Sequence, residues 1–292
     1  MSNLPVPEAV EPKVLDIQHD TDPAQDHGLA RRIPHAGHAI LFFSMAFLMV
    51  VLCQLAIFTL AHIRLESALQ HPGLGLASQA LAYVLTLTAS AWLFPHLWDV
   101  SFLQGIHWNF LAARRYWYWI VGGGVVLSAA AQAMLQLIPT PKTTAFDNIL
   151  TTPHAAWLLM AFAVLLAPLT EELAFRGFLL PALATAYDWL ALERTPAGLD
   201  RWQRSSLHST SALIFSAIFS SIPFALLHAD QLSHAWGVLG VLYGVSLVLS
   251  FVRIRTHSLA CSTLMHATYN FSIFAVILIS TGGFRHLDKL SH

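Results

Sequence analysis

The run "AAWLLMAFAVLLA" (155–167) leads directly into "PLTEELAFRG" (168–177), and the reading of this stretch decides the fold. An unbroken apolar run of this kind marks a helix that crosses a membrane, which takes about 20 mostly apolar residues. Two adjacent glutamates, Glu171 and Glu172, and an arginine, Arg176, follow within six positions. Charges beside so apolar a segment are costly in lipid, and where they persist they are candidates for function.

The rest of the chain agrees with a lipid solvent. Hydrophobic residues make up 56% of the 292 and charged residues 11%, against about 25% charged in an ordinary soluble protein. Mean hydropathy is +0.59. Such a chain lacks the polar surface to cover itself in water, which makes it an integral, multi-pass membrane protein, of the cell membrane if the source is bacterial. The formal net charge of -1 offers no basic field, and no nucleic-acid partner is expected. Cys53 and Cys261 both lie in apolar runs and read as two buried thiols, since a disulfide framework or metal cluster needs closer or more numerous cysteines.

Further apolar runs appear at 38–61, 74–97, 116–138, 209–228, 235–252 and 258–281, with another at 178–192 just after the glutamates. Helices are expected throughout, because unpaired backbone groups are not tolerated in lipid. The expected class is all-α, a polytopic bundle of seven or eight transmembrane helices, with a catalytic cavity between the C-terminal ones expected from the polar motifs and the family resemblance given below. The division is a polar, disordered tail (1–35), N-terminal membrane helices (36–150) and a catalytic membrane domain (151–285). If 155–192 crosses once, there are seven spans, and the named Lys and Arg positions divide ten inside to four outside. A separate crossing at 178–192 makes eight and divides them evenly, so charge favours seven. The demand that the catalytic residues meet favours eight. Gly237, Gly240 and Gly244 recur at helical spacing and suggest a close-packing face.

Three polar pairs share one spacing. Residues four apart on a helix lie on nearly the same face. Glu172 and Arg176 therefore pair, while Glu171 points about 140° from Arg176 and is left free. Phe224 and His228 repeat the spacing at the end of 209–228, and His266 and Asn270 repeat it inside the last run. A free carboxylate with an imidazole activates water; an imidazole and an amide supply hydrogen bonds to an oxyanion. That is what hydrolysis of an amide requires when no serine or cysteine attacks. Taken singly, each pair also fits a structural role, as an interfacial ion pair, a capped helix end or a polar helix–helix clamp.

Glu171-Glu172-x-x-x-Arg176, Phe224-x-x-x-His228 and His266-x-x-x-Asn270, in this order, resemble the motif set of the CAAX-protease and bacteriocin-processing family, also called Abi, of intramembrane glutamate-type proteases. The continuation "FRG" (175–177) fits as well. The resemblance covers about 155–281. It implies that Glu171 is the general base, assisted by His228; that His266 and Asn270 stabilise the oxyanion; that Glu172 and Arg176 orient the site; and that Phe224 shapes the cavity. It implies no catalytic metal and a membrane-anchored protein or peptide as substrate. Zinc held by Glu171, His228 and His266 is the cofactor alternative, without the compact HExxH signature. A non-catalytic immunity or scaffold protein of the same family is the alternative outside enzymes. A transporter is a third reading, weakened by the lack of an inverted repeat.

Overall fold

The computed structural model describes residues 32–140 and 149–290. The expected disordered tail lies outside the described residues, save 32–35, which lead into the first helix. Among the described residues the chain is all-helical. The membrane helices are α1 (Ala36–Leu60), α2 (Pro72–Trp98), α3 (Phe110–Leu135), α4 (Pro153–Leu190), α5 (Thr210–Leu226), α6 (Trp236–Thr256) and α7 (Leu259–Ser280). Six are long and apolar enough to cross a membrane, and α5 is a shorter apolar helix. Each follows an apolar run read from the sequence. The start of α3 differs most, because Asn109 caps the helix by accepting from the Ala112 N–H at 3.0 Å. Arg114 and Arg115 therefore sit inside α3, where the apolar run had not yet begun.

The runs 155–170 and 178–192 are one helix. Six candidate spans and one shorter apolar helix make seven membrane helices among the described residues, within the seven or eight expected from the sequence. At about 1.5 Å per residue α4 is some 57 Å long, more than the ~30 Å hydrocarbon core. Its ends show which parts of the chain share a face. At the C-terminal end Trp189 packs on Trp202, over which the Arg32 guanidinium lies at 3.4 Å. At the N-terminal end Trp157 meets Phe284, ring centroids 5.1 Å apart. The chain therefore enters the bundle beside one end of α4 and finishes beside the other, as an odd number of crossings requires.

Two prolines interrupt α4, and π-helical turns precede both. Phe162–Leu166 comes before Pro168, and Leu173–Leu179 comes before Pro181. Proline has no N–H for the carbonyl four residues back and its ring crowds that carbonyl. A widened turn relieves the crowding without breaking the helix. The expected disturbance at Pro168 thus takes the form of a π turn one step before the glutamates.

Half of the apolar window of α4 is buried, against 11% for α1, so α4 is the inner helix and α1 faces lipid. Phe42 of α1 stacks on Phe178 of α4 at 4.4 Å, and Phe94 and Trp98 of α2 close around the same ring. Of the three glycines expected to mark a close approach, Gly237 does, since an added Cβ would stand 3.2 Å from Ile138 Cδ1, whereas Gly240 and Gly244 have nothing within 4 Å among the described residues. Gly124 of α3 also presses on α7, where an added Cβ would stand 2.9 Å from the Met265 carbonyl oxygen. Cys53 and Cys261 are buried free thiols.

Candidate active site

The second half of α4 carries Glu171, Glu172 and Arg176, and all three are buried. The pairing is the one helical geometry demands. Arg176 Nη1 donates to Glu172 Oε1 at 2.8 Å, with both side chains fully buried. A buried ion pair holds only if its remaining hydrogen-bonding groups are satisfied. Ser246 and Ser250, one turn apart on α6, do this for the guanidinium, while Glu172 Oε2 has no hydrogen-bond partner among the described residues. Nη2 donates to the Ser246 carbonyl (2.7 Å) and hydroxyl (2.6 Å), and Nε donates to Ser250 Oγ at 3.3 Å. The Phe224 ring lies under the guanidinium at 4.6 Å, a cation–π contact that completes its surroundings.

Glu171, on a different side of α4, takes no part in that pair. Its Oε2 faces His228 Nε2 at 4.0 Å and His266 Nε2 at 3.8 Å. These separations exceed a direct hydrogen bond and admit a small polar molecule in contact with both partners. The far nitrogen of each ring is occupied. His228 Nδ1 lies 2.9 Å from the Phe224 carbonyl, which can only accept, so Nδ1 carries the proton. His266 Nδ1 lies 3.1 Å from Glu172 Oε1, which likewise accepts. One carboxylate thus orients the imidazole that faces the other.

How α5 brings His228 to Glu171 follows from its anchor. Ser209 and His208 bind Asp188, the hydroxyl at 2.6 Å and the imidazole at 3.0 Å, which ties the start of α5 to the end of α4. The stretches from Asp188 back to Glu171 and from Ser209 on to His228 are nearly equal in length, so antiparallel packing sets the two side by side. The two residues meet within the bundle of seven membrane helices.

Phe224 is buried among Arg176, His228 and His266, its ring centroid 5.3 Å from the first imidazole and 5.8 Å from the second. It packs the site from within. Asn270 lies one turn beyond His266, where its Nδ2 donates to the Ala163 carbonyl at 2.7 Å. That carbonyl belongs to the first π turn. One of the two amide protons expected at the oxyanion therefore supports the backbone of α4.

A cavity of about 460 Å³ opens at Glu171. Of the seven residues picked out by the sequence, Glu171 is the one on its wall. Phe42, Phe43 and Phe47 of α1 form an apolar side; Ser78, Gln79 and Tyr83 of α2 form a polar one. The sequence reading missed these, together with Ser246 and Ser250. The serines left a signal, an i, i+4 pair of hydroxyls in an apolar helix; Gln79 and Tyr83 have the same spacing on α2.

An all-helical, multi-pass membrane protein whose buried carboxylate faces two imidazoles has the build of a membrane-embedded hydrolase. Residues 153–272 match the family model described as type II CAAX prenyl endopeptidase Rce1-like. This segment is thus similar to the family that its motifs resemble, a family of membrane proteases. The match begins at the first residue of α4, ends within α7 and takes in all seven motif residues, leaving α1–α3 outside. No curated protein and no solved structure matches the chain.

Proposed function

We propose that this protein is an intramembrane endopeptidase that cleaves a membrane-associated protein or peptide with water activated by Glu171, without a catalytic metal. One observation carries the reading: Glu171 is spared the Arg176 ion pair and stands on the cavity wall with two imidazole nitrogens facing its Oε2, at 3.8 and 4.0 Å. Water bound there gives a proton to Glu171 as its oxygen bonds to the scissile carbonyl carbon. The carbonyl π pair moves onto oxygen. On collapse the C–N bond breaks, its electron pair goes to nitrogen, and Glu171 returns the proton to the leaving amine. The products are a carboxylic acid and an amine, and Glu171 is a carboxylate again.

His228, with Nδ1–H held by the Phe224 carbonyl, presents Nε2 as an acceptor beside that water. Glu172 and Arg176 fix the His266 ring. His266, with both nitrogens protonated, and the second amide proton of Asn270 are the oxyanion donors of this scheme.

A farnesylated C-terminal peptide bearing a quenched fluorophore, incubated with the purified protein in nanodiscs, tests the reading. Glu171→Gln is expected to lower kcat by about 10³-fold and His228→Ala by about 10²-fold, within the range of general acid–base catalysis. EDTA is expected to leave the rate unchanged. Wild-type cleavage by Glu171→Gln rejects the assigned base, and loss of activity to EDTA with recovery on added zinc rejects the metal-free scheme.

A further inference from the structure

The oxyanion donors above are both encumbered. With Nδ1–H committed to Glu172, a neutral His266 ring turns a bare Nε2 toward Glu171 and donates only when doubly protonated. Asn270 has spent one amide proton on Ala163. The hydroxyls of Ser78 and Thr170, both on the cavity wall, are also spent. They donate to carbonyls of their own helices, Gly75 at 2.8 Å and Leu166 at 3.0 Å.

Gln54 and Thr86 also line the cavity; Tyr83 of α2 differs from the wall donors above in being held by a neighbouring side chain. Its hydroxyl accepts from Gln79 Nε2 at 3.0 Å, and among the described residues its own proton has no acceptor. The ring is held by stacking on Phe162 at the first π turn of α4, centroids 5.6 Å apart. Tyr83 and Glu171 line the same cavity. The phenol is thus fixed twice, by a hydrogen bond and by a stacked ring, and its proton has no acceptor among the described residues.

We propose that Tyr83 is a further catalytic residue: its O–H donates to the carbonyl oxygen of the scissile peptide as water adds, and Gln79 is the positioning residue that holds it. The proposal rests on the endopeptidase reading and adds to it a group from α2, outside the family-matched segment. In the step, the carbonyl π pair becomes the third lone pair of an oxyanion. The Tyr83 proton stays on its own oxygen, hydrogen-bonded to that charge, and is released unchanged on collapse. A donor preorganised in this way contributes chiefly in the transition state, so its removal lowers kcat more than it raises KM.

The test uses the full chain in nanodiscs with the same farnesylated quenched peptide, comparing wild type, Glu171→Gln, Tyr83→Phe and Gln79→Leu. Tyr83→Phe keeps the stacked ring and removes one oxygen. It is expected to lower kcat by about 10²-fold, to leave KM within about 3-fold (~0.65 kcal/mol at 1.4 kcal/mol per decade), and to melt at the wild-type temperature. Gln79→Leu frees the hydroxyl without deleting it and is expected to lower kcat by about 10-fold, one hydrogen bond's worth, again with KM little changed. A Tyr83→Phe protein with wild-type kcat beside an inert Glu171→Gln overturns the role of Tyr83 and leaves the endopeptidase reading standing. Equal rises in KM with kcat intact in both α2 variants also overturn it, making Tyr83 a ground-state binding group. A wild type that cleaves nothing, or Glu171→Gln that cleaves normally, sinks the endopeptidase reading and Tyr83 with it.

Discussion

Glu171 and Glu172 are adjacent in the chain and differ in every contact they make. Glu172 is enclosed by Arg176 and His266; Glu171 meets a cavity and two imidazole nitrogens. The helix separates neighbours by about 100°, so one carboxylate turns inward to the ion pair and the other to the cavity. Part of this was legible in the sequence, since i, i+4 spacing assigned Glu172 to Arg176 before any tertiary contact was known. The buried pair makes a prediction of its own. Arg176→Met leaves Glu172 buried without its cation and is expected to cost about 3–5 kcal/mol, seen as a lower melting temperature in detergent. Glu172→Gln combined with Arg176→Met removes both charges and is expected to melt closer to wild type than Arg176→Met alone. A double variant no more stable than the single arginine variant rejects this account.

Among the elements, α4 decides the site. Its prolines follow π turns, and both turns are supported from outside: Asn270 holds the Ala163 carbonyl, and Phe42, Phe94 and Trp98 enclose Phe178. The sequence announced a disturbance at Pro168 but not its form, because the accommodation of a freed carbonyl depends on what packs against it. Helix packing shows the same limit. The spacing of Gly237, Gly240 and Gly244 pointed to a close contact; only Gly237 makes one, against Ile138, and a tighter approach is at Gly124 against Met265 and Thr268. Gly124→Leu forces the α7 backbone aside and is expected to cost about 1–3 kcal/mol by overpacking. Gly240→Leu enters open space and is expected to stay within about 0.5 kcal/mol of wild type. Melting temperatures of the two variants in one detergent check the contrast, and equal losses refute it.

For the whole molecule, seven crossings place the two ends of the bundle on opposite faces. Arg32 beside Trp202 marks one face, and Phe284 beside Trp157 marks the other. A third contact agrees: the Leu259 N–H donates to the His107 carbonyl at 3.0 Å, joining the α2–α3 and α6–α7 connections. In an alternating seven-helix chain these connections share the face of Arg32. The excess of Lys and Arg assigns that face to the inside. Reporters fused after Arg201 and after the C-terminus are therefore expected to read inside and outside respectively. An internal C-terminus rejects the seven-helix arrangement.

By itself the sequence determined what depends on neighbours along the chain. Lipid demands apolar length and internally satisfied backbone, and both are local, so the all-helical membrane class and the position of each helix were readable. So was the i, i+4 register within each motif, because one helix turn sets it. The tertiary structure alone decided what lies between helices. It joined two apolar runs into α4, set His228 level with Glu171 through the Asp188–Ser209 clamp, gave Arg176 its serines, drew an Asn270 proton to a π turn and brought Tyr83 to the cavity. The physical reason is that a helix repeat orders residues around its own axis, whereas the rotation and depth of one helix against another arise only from packing.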